Sequence, residues 1–533
     1  GAVIPRIPAP ALVSSPWKGW WVSVLKFSIS LSSLTREWSV SGRRLTEGGS
    51  WLEPFDHPQV EAGTATDGRT WMLTVRERMT GSSLPRHSVL PVASVQATAS
   101  AWDSWPLNSL TVRFSADGLA ITAGNSVAPV YLVASGDTLH ASWDPAELRS
   151  HLSPHRLSAR EAARVLSGHG RYGWETVLDG LVMLTVGARA QWSARGLSVA
   201  YPEPAKRDLP RALAPGADPV EGFESLLADA LASRPITGEA TAVQLSGGQD
   251  SATLALSLGD AWPGQVSAGA LLLPGAVGVQ QRERREHLTR AARLSRDVLV
   301  PALEYQPLMP SGIRLLGRCG VYDEPYVEAQ TELTARLAAS GVRTVVAGFG
   351  GDELMATARR RARTAPVLPW LGPVARAALA ERDHGTAPAT AVAESTLLAL
   401  RTVSPYMLRG GLWPVAPLAE LPIVRFARWL PDQWRQDKRL MRERLTRRGL
   451  PAHVVRAPMR EVFTDVMARA LHEHGPALLR RMAANSPLID GGLITRAGIL
   501  AAADDCARSV RAAALHTPVY APIALDLHIR SLG

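Results

Sequence analysis

The chemistry in this sequence concentrates in six consecutive residues, Ser246-Gly247-Gly248-Gln249-Asp250-Ser251. Adjacent glycines let the backbone turn tightly and bring bare N–H groups against an anion. Ser246 and Ser251 add hydroxyl donors. A helix starting near Ser251 would aim its positive end at the same place. Phosphate repels a carboxylate, so Asp250 makes sense in such a cradle as a ligand of a bridging Mg²⁺. No Gly-Lys-Ser/Thr follows, which separates the loop from a Walker loop. The bland alternative is a plain turn between a strand and a helix.

The flanking residues supply the elements a cradle needs. Ala242–Leu245 reads as a short buried strand and 251–258 as a helix. Further buried strands are expected at Val266–Leu273 and Val342–Ala347. Asp218 can cap a helix, Pro219 suits its first turn, and Glu221 stands at capping-box spacing. Val220, Phe223, Leu227 and Leu231 give that helix one apolar stripe. Strands alternating with helices predict a parallel sheet covered on both faces.

The first 200 residues read differently. Short apolar or alternating runs at Trp20–Leu31, Leu110–Phe114, Val130–Val133 and Gly180–Val186 are separated by turns such as Asp117-Gly118 and Gly136-Asp137. A proline-rich stretch with Pro202, Pro204, Pro210, Pro215 and Pro219 reads as a linker. Roughly the last 150 residues read as mostly helical.

With 533 residues, 46% hydrophobic and 20% charged, the chain has the composition of a folded globular protein and can bury a large core. No apolar run reaches the roughly 18 residues of a membrane span. The stretch Gly1–Val13 lacks a basic segment ahead of an apolar one, so no secretory signal is expected. Cys319 and Cys506 are too far apart in sequence for a zinc cluster or a disulfide framework and fit a reducing cytoplasm. Of 58 basic residues only Lys18, Lys26, Lys206 and Lys438 are lysines. The arginines are spread out. Their local cluster, Arg359, Arg360, Arg361 and Arg363, reads as a solvated face rather than a nucleic-acid site.

The first loop resembles the pyrophosphate-binding loop of ATP-pyrophosphatases. A second, Gly348-Phe349-Gly350-Gly351-Asp352-Glu353-Leu354, resembles the Gly-x-Gly-Gly-Asp-Glu loop of asparagine synthetases. Other landmarks of that family follow in order. Tyr322-Asp323-Glu324-Pro325 resembles its Asp-Glu-Pro segment. Ala416-Pro417-Leu418 with Phe426 to Pro431 resembles a helix lead, and Lys438-Arg439-Leu440-Met441-Arg442 its Lys-x-x-Leu-Arg. Leu450-Pro451 with Arg456 resembles the start of its Leu-Pro … Arg-x-Lys segment. The resemblance implies an α/β protein. An inactive glutaminase-like β-rich domain of the N-terminal-nucleophile type would span 1–208, and an ATP-binding domain 209–533. It implies ATP and Mg²⁺ as cofactors. Leu245, Ser246, Gly247, Gly248, Gln249, Asp250, Ser251, Gly348, Phe349, Gly350 and Gly351 would bind ATP, and Asp250 and Asp352 would hold the metal. Asp250, Asp352, Glu324 and Arg460 are the expected catalytic residues, with Glu324 open to a structural reading.

Glu175–Leu181 and Pro129-Val130-Tyr131 resemble, more loosely, turns and strands of the glutaminase domain. That domain works with an N-terminal cysteine, and no cysteine precedes Cys319 here, so glutamine hydrolysis is not expected. β-Lactam synthetases and lasso-peptide macrolactam synthetases share this design. Phe349 stands where relatives keep an acid or a tyrosine, and it cannot transfer a proton. Met459 falls where they keep a lysine, with Arg460 beside it, and Ala356-Thr357-Ala358 replace their glycines and tyrosine. A lasso cyclase fits best. It would adenylate an Asp or Glu side chain of a ribosomally made precursor peptide and let the peptide's own α-amine attack. Its expected partners are a leader peptidase and a leader-recognition protein, with no nucleic acid or membrane span. The rivals are a small-molecule amide synthetase and a non-catalytic binding protein. His453 reads as a surface or packed histidine. Trp17, Trp20 and Trp21 read as core rather than as a peptide-binding stack.

Overall fold

The computed structural model describes residues 24–125, 129–152, 156–206, 208–316, 320–356 and 368–532. Trp17, Trp20, Trp21, Cys319, Thr357, Ala358 and the arginine cluster at 359–363 lie outside the described residues.

Two seven-stranded sheets fill the N-terminal part. In one, Leu25–Ser30 lies between Thr138–Ser142 and Ser50–Pro54. In the other, Ser109–Ser115 lies between Trp71–Glu77 and Gly118–Ala123. The first is antiparallel throughout; the second ends in one parallel pair, Val60–Thr66 with His87–Val89. Two-residue periodicity explains the packing: Phe27, Ile29 and Leu52 of the first sheet share one apolar core with Val75, Val112 and Ile121 of the second. The expected turn at Gly136-Asp137 closes a hairpin in which Ser135 faces Thr138, with Gly136 at φ +60°.

The chain then runs without regular structure along the proline-rich stretch into helix α1 (Pro219–Ala232). Asp218 caps α1 by accepting from the N–H groups of Val220 and Glu221, and the expected stripe is buried. A parallel sheet follows, built from β1 (Thr241–Gln244), β2 (Ser267–Leu272), β3 (Arg296–Pro301), β4 (Thr344–Val346) and β5 (Trp413–Val415). Its order is β3-β2-β1-β4-β5. Helices α2 (Gln249–Ala261), α3 (Gly275–Ala291) and α4 (Val327–Ala339) connect the strands. Neighbouring residues go to opposite faces. Val243 and Val346 join the core that holds α1 and α2, while Ala242 and Val345 join the core that holds α4. Both faces are therefore covered, which is why these strands read as continuous apolar runs.

The remaining chain is helical apart from β5. Helices Thr464–Ala484, Arg496–Arg508 and Tyr520–Leu532 share a second large core with Tyr131, Val133 and Met183 of the first N-terminal sheet. Among the described residues, no helix is long and apolar enough to cross a membrane.

Candidate active site

Strand order alone marks a place for a ligand. Connections run outward from β1 in both directions, so the strand ends of β1 and β4 border a crevice at the topological switch point. The two glycine loops occupy those ends.

After β1, Leu245 donates its N–H to Gly269 at 2.9 Å, prolonging the pairing by one residue. The chain turns at Gly247, φ +99°, and α2 begins at Gln249. Gly248 is the N-cap and brings no capping side chain, so the first N–H groups of a 13-residue helix are left for a ligand. Ser246 Oγ accepts from Gly248 N–H at 3.2 Å and lies 3.2 Å from Ser251 Oγ. A Cβ on Gly248 would meet only Ser246 Oγ, at 3.4 Å, which leaves the front of the loop open.

The second loop is pressed against the first. A Cβ on Gly348 would lie 3.1 Å from that of Asp250, and one on Gly351 would overlap the Asp250 carboxyl group. Gly350 adopts φ +95° where a side chain would crowd the Leu418 carbonyl at 3.0 Å. Glycine is needed here for close approach of backbone to side chain. Asp250, half-buried, therefore meets the loop that carries Asp352, whose side chain is 81% exposed.

Lys438 bridges the two carboxylates. Its Nζ lies 2.7 and 2.6 Å from the oxygens of Asp250 and 2.6 Å from Asp352 Oδ1. The lysine is delivered by two successive left-handed residues, Asp437 at φ +51° and Lys438 at φ +52°. Such backbone costs on the order of 1–3 kcal/mol per residue and collects at functional sites. Asp437 in turn pairs with Arg442 and, at 2.8 Å, with Arg456. Burial raises the Asp250 carboxyl above its ordinary value against the opposing pull of Lys438, and Asp352 adds to the rise. For Lys438 burial pulls downward, yet the two aspartates win and hold the ammonium above its ordinary value. With all three ionised the trio carries one net negative charge, and carboxylate oxygens are the ligands Mg²⁺ takes. The donor set thus fits a divalent cation.

Helix α3 and the segment 454–461 form the far wall. Gln281 pins the strand ends: its amide donates to the Ser246 and Leu271 carbonyls at 3.1 and 3.0 Å and accepts from Leu273 N–H at 3.0 Å. Arg284 donates to the Val454 carbonyl at 3.0 Å and pairs with Glu461 at 2.6 Å. Glu461 Oε2 stands 3.3 Å from where a Gly247 Cβ would be. Arg460 is exposed. Met459 is held by its backbone, with the Gln280 amide donating to its carbonyl at 2.9 Å and accepting from its N–H at 2.8 Å.

Glu324 sits on the same edge of the sheet. Its carbonyl accepts from Arg314 at 2.7 Å, and its carboxyl group accepts from the Tyr326 hydroxyl. Burial, then Asp323, pushes this carboxyl above its ordinary value. The Tyr326 ring stacks on Phe463 with centroids 4.4 Å apart, and Phe349 packs into the same apolar cluster. The two loops, Lys438 and this acidic-aromatic corner thus share one end of the sheet.

A cavity of about 490 Å³ opens beside the second loop, lined by Gly350, Glu353, Arg428, Asp432 and Arg435 among others. It shares Ala205, residues 389–392 and Ala419 with a cavity of about 590 Å³ between the second N-terminal sheet and α1.

Lys438 was visible as part of a motif, and its rarity among so many arginines was a signal toward a role. Glu461, Gln281 and Arg284 carried no such signal. No curated protein matches the chain. Residues 222–414, which hold both glycine loops and the strands that end in them, match the family model described as asparagine synthase, which supports ATP-dependent amide-bond formation as the general chemistry of this part of the chain.

Proposed function

We propose that the protein closes a macrolactam in a ribosomally made lasso peptide, adenylating an Asp or Glu side chain with ATP and joining it to the peptide's α-amine. The observation that carries the ATP half is the pair Asp250 and Asp352, brought from two strand ends around one cation beside an open helix N-terminus. In this reading residues 1–208 are a glutaminase-like layer without glutaminase activity and 209–533 the synthetase unit, working in the cytoplasm with a leader peptidase and a leader-recognition protein.

Gly247, Gly248 and the start of α2 hold ATP phosphates through N–H groups, with Ser246 and Ser251 adding hydroxyls. Asp250 and Asp352 would hold Mg²⁺ beside Lys438, and the ion would supply neutralisation of phosphate charge. Lys438 keeps a positive charge where pyrophosphate leaves, and its two carboxylate partners fix its direction. The substrate carboxylate attacks the α-phosphorus and pyrophosphate departs. The α-amine then attacks the acyl carbon, AMP departs, and the peptide has lost one water overall. Glu324, raised by burial, accepts the proton of the attacking amine. An α-amine has an ordinary pKa of about 7.7–8.0, so part of it is already neutral and little base strength is needed. Phe349, packed against the same apolar cluster as Tyr326 and Phe463, then serves as an apolar wall. Holding both ends of one peptide together lowers the barrier by roughly 7–11 kcal/mol. The 490 Å³ cavity beside the second loop has the size to take part of the substrate.

The test is a linear peptide with a free N-terminus and an internal Asp or Glu. Loss of one water with stoichiometric AMP, only with ATP and Mg²⁺, supports the reading. Acetylating the N-terminus should stop closure but not adenylation. Asparagine formed from aspartate and ammonia at a comparable rate, or closure of the acetylated peptide, would overturn it.

A further inference from the structure

Helix α3 carries Gln280, Glu283, Arg284 and His287 at helical spacing, so all four project toward one side. Gln280 and Arg284 grip segment 454–461, as described above. The other two meet His453, on the short helix α5 (Ala452–Val455).

The ligand atoms of Glu283, His287 and His453 all lie within 4.8 Å of one another. His453 Nε2 is 3.5 Å from Glu283 Oε1. It has almost no exposed surface and no hydrogen-bond partner among the described residues. The His287 and His453 rings meet edge to face, with centroids 5.3 Å apart at 78°. Ligands at about 2.0–2.2 Å around a tetrahedral ion stand roughly 3.3–3.6 Å apart. The His453–Glu283 pair already has that separation, and the His287 ligand atom lies within 4.8 Å of both. A nitrogen with no partner facing a carboxylate is a cost to the protein unless something sits between them.

We propose that Glu283, His287 and His453 form a site for a divalent transition ion of the zinc class, with water as fourth ligand. Two imidazoles and one carboxylate favour zinc and its neighbours over Mg²⁺ or Ca²⁺, which prefer all-oxygen shells. Bound there, the ion ties α5 to α3 beside the hydrogen bonds that Arg284 and Gln280 make with segment 454–461. It thereby holds Glu461 at the mouth of the Gly247 loop. The ion is a clamp on the wall of the nucleotide site and touches no reacting atom. The binding claim stands independently of the adenylation reading.

Cobalt(II) reports such a site through its visible absorption, and zinc chloride competes for it. The whole chain should bind one equivalent of cobalt with a tetrahedral band that zinc removes. His287→Ala and His453→Ala should each weaken binding at least about tenfold, and Glu283→Gln should also weaken it. All three side chains are exposed or half-buried, so the variants should fold, which a thermal melt checks. Zinc should also slow amide exchange across 452–461 in the original protein and not in His453→Ala. Absence of the band, equal affinity in the histidine variants, or loss of the band in Asp250→Asn instead would overturn the site. Binding without slowed exchange would overturn the clamp.

Discussion

Two of the places where a pair of carboxylates closes around one cation differ sharply in what surrounds them. At the strand ends Asp250 and Asp352 hold Lys438. Some distance away in the sequence Glu77 and Glu420 hold Arg234, at 2.6 and 2.8 Å. The second trio is more deeply placed: the Arg234 side chain is 3% exposed and that of Glu77 not at all, with Glu420 at 20%. It also gathers hydrogen bonds from several elements. Glu77 accepts from Trp413 Nε1 at 3.0 Å and from Asn108, and Arg234 donates to the Ala230 carbonyl at 2.8 Å. It joins the N-terminal strand Trp71–Glu77 to the end of α1 and to β5. Arginine suits that task because its rigid fork can bind several acceptors in fixed directions. Lysine suits the first, since a point charge on a flexible stem can follow a leaving phosphate. One trio fastens a junction, and the other stands at the strand ends where we propose that nucleotide and metal bind.

The largest effect should come from breaking the fastener. Arg234→Met leaves two buried carboxylates without their partner, which costs about 3–5 kcal/mol of stability. A denaturant melt would show it, and AMP release per folded molecule should stay near normal. Equal loss of turnover in the folded fraction would mean the interface trio also shapes the nucleotide site.

The open trio should respond the opposite way. Asp250→Asn or Asp352→Asn should lower AMP formation by about 10²–10³, the scale of losing one preorganised charge, while the melt hardly moves. Lys438→Met belongs with them. Near-normal turnover in either aspartate variant would end the metal assignment.

How far the sequence reveals each trio follows from chain separation. The loop at 246–251 and the capped helix after Asp218 are local patterns, and the structure places both within a residue or two of their expected bounds. Strands buried on both faces were legible as apolar runs, although β4 is shorter than its run, Thr344–Val346 inside 342–347. Lys438 meets Asp250 across 188 residues, and Glu461 meets Arg284 across 177. No periodicity encodes such pairs; only the strand order brings them together. Arg460 was the natural choice for an anion site by residue type, yet the neighbouring Glu461 is the side chain turned toward the loop. The Glu77–Arg234 pair spans 157 residues, from the second N-terminal sheet to the end of α1, and nothing in the sequence marked it.

A third test separates packing from chemistry within the open site. Gly351→Ala drives a methyl into the Asp250 carboxyl group and should cost about 1–3 kcal/mol as well as turnover. Gly248→Ala meets only Ser246 Oγ at 3.4 Å and should leave the melt nearly unchanged while raising the KM for ATP. Equal melts for the two variants would mean the loops are not held together as tightly as the geometry shows.

The smallest effect distinguishes the trios by pH. Burial pushes the Glu420 carboxyl up to about 7, with Arg234 pulling it down and Glu77 pushing it further up. An acid raised on folding binds its proton more tightly in the native state than in the unfolded chain. Its contribution is therefore fully present below the ordinary value of about 4.5 and is lost as pH rises toward 7. Glu420→Gln keeps an oxygen for Arg234 and removes the titration. The variant should match the original protein near pH 5 and be as stable or more so at pH 8. The slope of stability against pH between 5 and 7 should be flatter in the variant. The difference should largely survive added salt, because the group is mostly buried and screening acts mainly on exposed charges. A slope unchanged by Glu420→Gln would show that Arg234 keeps Glu420 ionised through that range, and the deeper trio would then hold two full negative charges around one arginine, closer to the open trio than its burial implies.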